Sequence, residues 1–369
     1  MNFIHVTDTH FGLNSYGTEN PSVGFNTRAD DAFQAYDQMI KYAKKNDIKL
    51  IIHSGDFYNT KTVSQNIVAK SHLQTREISE AGIDYYVLHG NHDASRILVN
   101  KNGLDVAGIF DLKGVHISRG EDEVLDLGYA QICSVSYWDT SEEIEAKIAK
   151  HAKAIDWSRP AILVVHLQIE YANFPGSFRE DLHFTPLSLL TSHPWTYVAA
   201  GHIHKPQMIN ADPPVYYGGS LVRCSFAEES DKKGFNVIKL AGPKVVSIKK
   251  QPVDCLRMLT LRGTMAQVRD SLDGVDPTLF TNTIVRCIIE EDDELLDEKF
   301  LKDKLCYAFK AVISKEAKKT EQIRMERGTN MTSMNDALRV YFKDDEEADA
   351  LMLLVEELRE QDAQKVLER

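Results

Sequence analysis

The opening stretch NFIHVTDTH (residues 2–10) joins an apolar run, Phe3–Val6, to a polar cluster, Asp8-Thr9-His10, with only Thr7 between them. A short apolar run bounded by polar residues reads as a strand buried on both faces, with its functional groups just past its end. The same junction recurs along the chain. Lys49–Ile52 runs up to Gly55-Asp56, Asp84–Leu88 to Gly90-Asn91-His92-Asp93, Ala161–Val165 to His166, and Thr196–Ala199 to Gly201-His202-Ile203-His204. Between the first two runs, Arg28–Asn46 carries Ala32, Phe33, Tyr36, Met39, Ile40 and Ala43 at the spacing of an amphipathic helix. Ser64–Gly82 reads as a weaker helix closed by a glycine. Ser141–Ile155 reads as another, opened by a capping box of Thr140 and Glu143. Strands alternating with helices predict a layered α/β domain in which the polar clusters converge on one edge of the sheet.

Beyond Pro213-Pro214 and Gly218-Gly219 the texture changes. Phe235–Leu240 and Val245–Lys249 read as closing strands, and Pro252 marks a boundary. A smaller α+β unit is expected after it: strand Met258–Leu261, helix Met265–Leu272, strand Thr283–Ile289, and a helix over Asp297–Lys319 carrying Phe300, Leu305, Phe309 and Val312. Thr320–Asn335 lacks periodicity and reads as a linker, and Asp344–Leu367 as a final amphipathic helix. The expected division is 1–250, 251–319, a linker over 320–343, and a C-terminal helical segment over 344–369.

Composition limits the partners. The 369 residues hold 43 Lys+Arg and 55 Asp+Glu, a formal charge of −12, and 43% are hydrophobic. The acidity is concentrated late, with a net −4 over residues 1–250 and −8 over 251–369. This is not the basic surface that binds duplex nucleic acid by phosphate neutralisation alone, so a nucleic-acid function needs bound cations or a partner. No run approaches the eighteen or so apolar residues of a membrane span, and a cytoplasmic address is expected. The five cysteines are widely spaced with no Cys-x-x-Cys pair, which argues against a disulfide framework and a thiolate metal site.

Carboxylate, imidazole and amide side chains are ligands for divalent ions of intermediate hardness, and a two-ion site needs a bridging carboxylate with about three further donors per ion. The strand-end inventory fits: Asp8, His10 and His204 for one ion, Asn91, His166 and His202 for the other, Asp56 between them. Asp8 and His10, two residues apart at a strand end, are expected to project the same way. His92 is left over as a proton donor to a leaving oxygen. The remaining eight histidines are read as structural.

These motifs resemble the D-x-H, G-D, G-N-H-[DE], H and G-H-x-H pattern of the calcineurin-like metallophosphoesterases. Within that superfamily the chain most resembles the SbcD-type, meiotic-recombination-eleven-like nucleases, through FIHVTDTHFG (3–12), GHIHKPQ (201–207), YYGGSLVRCSFAEESDKKGFNVIKL (216–240) and MLTLRGTMAQV (258–268). The resemblance implies a layered metallophosphoesterase domain with an α+β capping domain. It implies a two-metal phosphodiesterase, Mn²⁺-activated, that cuts DNA as endonuclease and exonuclease in double-strand-break repair and recombination. The implied partners are an SMC-like coiled-coil ATPase of SbcC type, gripped by the C-terminal helix, and a second copy of the chain; in a prokaryote the address would be the nucleoid. Two departures stand out. Asn59 occupies the position, three after Asp56, where many members carry a substrate-positioning histidine, and Gly218 stands where a proline is usual. Asn14–Thr27 could border the substrate groove, and the apolar stretch Ile97–Phe110 falls where the family places dimer helices. Two competing readings are a phosphoesterase acting on cyclic nucleotides or phosphoproteins, and a non-catalytic scaffold that tethers DNA.

Overall fold

The computed structural model describes residues 1–93, 102–105, 111–173, 184–290 and 296–316. The expected linker, the C-terminal helix and nearly all of Ile97–Phe110 lie outside the described residues.

Two six-stranded sheets form the centre. In the first, β1 (Asn2–Val6), β4 (Leu50–Ser54), β5 (Asp84–Leu88) and β6 (Val115–Ser118) run parallel, extended by the hairpin of β13 (Gly234–Ala241) and β14 (Lys244–Pro252) in the order β14-β13-β1-β4-β5-β6. The second sheet sets β8 (Gln131–Ser134), β9 (Ala161–His166), β10 (Tyr197–Gly201) and β12 (Pro214–Tyr217) parallel, with β11 (Gln207–Ala211) and β7 (Leu125–Asp126) antiparallel on its edges. A small hairpin, β2 (Glu19–Asn20) with β3 (Phe25–Asn26), occupies the Asn14–Thr27 stretch.

Alternation along each strand builds three cores. Phe3, Leu50, Ile52, Tyr86 and Leu88 of the first sheet meet Ile132, Ile162, Val164, Tyr197 and Ala199 of the second. Their sequence neighbours Ile4, Val6, Ile51, Tyr85 and Val87 point the other way, onto α1 (Thr27–Lys45) and α2 (Gln65–Glu80). On the outer face of the second sheet, Leu163, Val165, Val198 and Ala200 pack with Ile144 and Ile148 of α3 (Ser141–Ala154) and with Leu190 of the short helix α4 (Leu187–Leu190). The result is a helix, sheet, sheet, helix layering in which the central strands β1, β4, β5, β9 and β10 are buried on both sides, which is why they read as continuous apolar runs. The helix starts follow their caps: Asn26 accepts from the Arg28 N–H, Ser64 from Ile67, and Thr140 with Glu143 forms the expected capping box.

A third, all-parallel sheet of β15 (Arg257–Gly263), β16 (Thr283–Glu290) and β17 (Lys310–Glu316) follows, with α5 (Met265–Leu272) and α6 (Glu298–Lys304) as its crossovers. The helix expected over Asp297–Lys319 is therefore corrected. It stops at Lys304, and Ala311, Val312 and Ile313 belong to a strand registered on Val285, Arg286 and Cys287. The free edge of β16 offers a full ladder to a β-branched segment, and that outweighs the helical spacing even though Asp297 caps the helix start by accepting from the Phe300 N–H. Residues Met1–Glu316 make one compact unit, and Phe226, Leu256, Met258 and Ile284 form the cluster that joins the third sheet to the body.

Candidate metal centre

Every predicted site residue follows a parallel strand at its carboxyl end: Asp8 and His10 after β1, Asp56 after β4, Asn91 and His92 after β5, His166 at the end of β9, His202 and His204 after β10. The two sheets thus deliver their strand ends to one place, the usual ligand site of an open α/β sheet. The backbone is strained there. Asp8, His10, Asp56 and His202 all have positive φ, of 50°, 46°, 53° and 95°. Such conformations cost of order 1–3 kcal/mol each and cluster at functional sites. They also change the expected reason for the pairing of Asp8 with His10. Strand β1 ends at Val6, and left-handed turns, not strand alternation, aim both side chains inward. Glycine is required beside them. A Cβ on Gly55 would lie 2.2 Å from His166 Nδ1, and one on Gly90 would lie 2.1 Å from Asp56 Oδ1.

The donors form two facing groups around Asp56. On one side His166 Nε2 is 3.2 Å from Asp56 Oδ2 and 3.2 Å from Asn91 Oδ1, which is 3.1 Å from His202 Nδ1. On the other, His10 Nε2 is 3.9 Å from Asp56 Oδ2 and 3.0 Å from His204 Nε2, itself 3.9 Å from Asp8 Oδ1. Asp8, His10, Asp56 and His166 are buried, while His92 is exposed at the rim with its ring centroid 4.9 Å from that of His10. Cys224 also reaches the centre. Its sulfur lies within 4.8 Å of donor atoms of His10 and His204, a neighbour the cysteine spacing gave no reason to expect.

A divalent cation fits this donor set. Ring nitrogens facing each other at 3.0 Å repel unless a proton or cation lies between them, and the second nitrogens of two ligands are already committed. His166 Nδ1–H donates to the Ser54 carbonyl at 2.8 Å, and His204 Nδ1–H to the Glu228 carboxylate at 2.9 Å, so each turns Nε2 into the site. Burial, helped by neighbouring imidazoles, lowers His10 and His202 to about 3, so both stand neutral and able to ligate. At His166 burial also works against the charged form, but the adjacent Asp56 carboxylate overcomes it and holds the imidazole up at about 9. Asp56, despite its own burial, is correspondingly pushed well below the usual carboxylate range by His166, His10 and His92. A cation would replace the proton that now pairs them.

Further residues brace the centre. Glu228, on the turn Phe226–Glu228, accepts from Ser220 Oγ at 2.9 Å and from Lys233 Nζ at 2.6 Å; Lys233 also reaches the His204 carbonyl at 3.2 Å. Asp93, wholly buried, accepts from the N–H groups of Gly90 and Phe57 at 2.9 Å and of Tyr58 at 2.6 Å, tying the Asp56 loop to the Asn91 loop. His92 Nδ1–H donates to the Asn59 carbonyl at 2.6 Å, which leaves its Nε2 toward the cleft. That cleft, about 640 Å³, is lined by Asn59–Thr62, Asn91 and His92. A second depression, lined in part by Asn14, Glu19 and Asn26, shares Asn59, Thr60 and Thr62 with it, so the Asn14–Thr27 stretch lies next to this cleft.

Paired sheets with a seven-donor, carboxylate-centred site at their strand ends define a phosphoesterase built for divalent ions. Residues 1–206 match the family described as calcineurin-like phosphoesterase, and the chain belongs to that family. Its curated relatives narrow the comparison. The DNA double-strand break repair protein Mre11 of Thermoplasma acidophilum is 24% identical over 73% of this chain and 68% of its own. The protein of the same name from Sulfolobus acidocaldarius is 22% identical over 100% of this chain and 97% of its own. The SbcD component of the SbcCD nuclease of Staphylococcus epidermidis is 23% identical over 70% and 71% respectively.

Proposed function

We propose that this protein is a metal-dependent DNA nuclease that hydrolyses phosphodiester bonds at DNA ends during double-strand-break repair. The observation that carries the reading is the meeting of two donor groups at one carboxylate, Asp56, in a chain whose curated relatives are named as break-repair and SbcCD nucleases. Asp8, His10 and His204 would hold one divalent ion, Asn91, His166 and His202 the other, with Asp56 shared; mixed N and O donors suit Mn²⁺. Ions so placed supply water activation and charge stabilisation on the phosphoryl oxygens.

The chain's own residues do the rest. The carbonyl of Asn59 holds Nδ1–H of His92 and aims Nε2 into the cleft, the position from which this ring would deliver a proton to the departing sugar oxygen. Asn59 therefore contributes through its main chain, while its amide, lining the same cleft, can hydrogen-bond a phosphate without carrying charge. The finer assignments belong to the same proposal: an SMC-like ATPase engaged through residues 344–369, a homodimer, and a cytoplasmic location.

The test is incubation of the purified protein with labelled linear duplex and single-stranded DNA, with Mn²⁺, with and without the ATPase and ATP. Metal-dependent cutting is expected. DNA binding with no cutting would select the scaffold, and hydrolysis of cyclic nucleotides or phosphopeptides alone would select a different phosphoesterase.

A further inference from the structure

Beside the metal centre, across from Lys61 of the cleft, stands an aromatic pair. The segment after β8 carries Tyr137 and Trp138 at the same sheet edge as His166. The Tyr137 ring centroid lies 5.5 Å from that of His202 and 6.1 Å from that of His166. Trp138 stands edge-on to Tyr137, with centroids 4.9 Å apart and planes at 88°. From the opposite side, Lys61, which lines the cleft, brings its ammonium to 5.8 Å from the Trp138 ring centre. Both aromatic residues are partly exposed, and the Trp138 indole N–H, itself buried, meets no hydrogen-bond acceptor among the described residues.

This pair is held rigid. Asp139 accepts from the Ser136 N–H at 2.8 Å, Ser136 Oγ accepts from the Trp138 N–H at 3.3 Å, and Lys147 of α3 grips both Asp139 oxygens at 2.8 and 2.9 Å. Lys147 also donates to the Gly120 carbonyl at 3.0 Å, so the turn is anchored from two directions. Aromatic faces fixed in advance lose little entropy when a flat ligand stacks on them.

The charge of the chain says why such a pair matters. At a net −12 the protein has little capacity to hold DNA by neutralising phosphates along a duplex. Beyond what bound cations or a partner would supply, stacking of an unpaired base is a source of affinity that needs no net positive charge, and it requires the base to be out of the helix. We propose that Tyr137 and Trp138 form a stacking platform for the nucleobase of an unpaired nucleotide next to the scissile phosphate, with Lys61 meeting the neighbouring backbone phosphate. The assignment rests on the nuclease reading and makes single-stranded or frayed DNA ends the substrate class.

The test is a cycle of two proteins and two ligands. Binding of a short single-stranded oligonucleotide, intact or with abasic sugars, is measured by anisotropy for the wild type and Trp138→Ala, with Ca²⁺ replacing Mn²⁺ and the DNA checked as uncut afterwards. The wild type should prefer the intact strand by about tenfold or more, the size of one base–aromatic contact, and Trp138→Ala should abolish the preference, with Trp138→Phe restoring most of it. In Mn²⁺ the Trp138→Ala change should appear in KM for the oligonucleotide far more than in kcat. A wild type that binds intact and abasic strands equally overturns the platform without needing any variant to fold, as does a Trp138→Ala protein that keeps the preference. Failure of the nuclease reading would look different, as a wild type that neither binds nor cuts DNA.

Discussion

Asp56 is the residue on which most of the site's electrostatics turns: its Oδ2 faces His166 and His10, and its Oδ1 accepts the His92 N–H at 2.9 Å. Asp56→Ala removes the carboxylate that faces both His166 and His10, so calorimetry should find at most one tightly bound ion and assays essentially no activity. Two ions bound at wild-type affinity would refute its bridging position. The proton it shares with His166 gives a pH dependence with a definite sign. Below about 9 the metal-free protein keeps His166 protonated, and an ion must displace that proton. Metal affinity should therefore rise with pH through neutrality and on through about 9. His204, held against its burial well above the ordinary histidine value by Cys224 and Glu228, adds to the rise, and proton release should be visible as buffer-dependent binding enthalpy. The stability of the metal-free protein should run the other way. The raised pKa adds stability that is complete below the ordinary histidine value of 6.5 and is lost as pH climbs through 9. His92 is in none of the proposed ligand sets, so His92→Gln should bind metal normally and turn over about 10²–10⁴ times more slowly. Normal cutting by that variant would remove it from the chemistry.

At the scale of elements, the turn Phe226–Glu228 links two parts of the molecule. Phe226 packs with Leu256, Met258 and Ile284 of the third sheet and under the Arg286 guanidinium at 4.2 Å, while Glu228 two residues on orients His204. Phe226→Ala should cost about 3 kcal/mol in packing. By loosening Glu228 it should also weaken metal binding about 10–100-fold, the usual effect of losing a ligand's hydrogen-bond partner. A denaturation midpoint that falls with metal affinity unchanged would show that the turn is only a packing element. The same turn marks where sequence reading stops. The ligands were legible because each closes an apolar run buried on both faces, a pattern local to a few residues. Glu228 was not, being one of three acids in a run of four residues, and only the fold sets it against a histidine 24 positions earlier. The strand β17 was misread for a related reason. Phe300, Leu305, Phe309 and Val312 mimic a helical stripe, and the vacant edge of β16 that overrides them is a tertiary fact. The four positive-φ ligand-bearing residues were equally hidden, since Asp and His, though enriched at positive φ among non-glycine residues, adopt it in only a small minority of positions.

At the scale of the whole molecule, the candidate metal centre lies within Met1–Glu316, a unit with its own cores that carries every proposed ligand. The residues beyond it carry a separate requirement. Asp344–Leu367 has an apolar stripe of Ala348, Leu351, Met352, Val355 and Leu358 on an otherwise charged segment. An isolated helix of that length is marginal in water, so its stability must come from a surface that covers the stripe. The acidic run Asp344–Glu347 falls at the start of the helix expected from the sequence, where a macrodipole would favour negative charge, and so carries no information about that surface. On the proposed function the surface belongs to the ATPase. Truncation after Ser333 should then leave Mn²⁺-dependent cutting of single-stranded DNA and of small diesters intact, because no proposed ligand is removed. It should abolish co-purification with the ATPase and ATP-dependent cutting at duplex ends. If the truncated protein bound the ATPase with undiminished affinity, the helix would have another use. If its melting temperature fell sharply, the stripe would be covered by the chain itself, since losing an internal contact destabilises the fold whereas losing an external one does not.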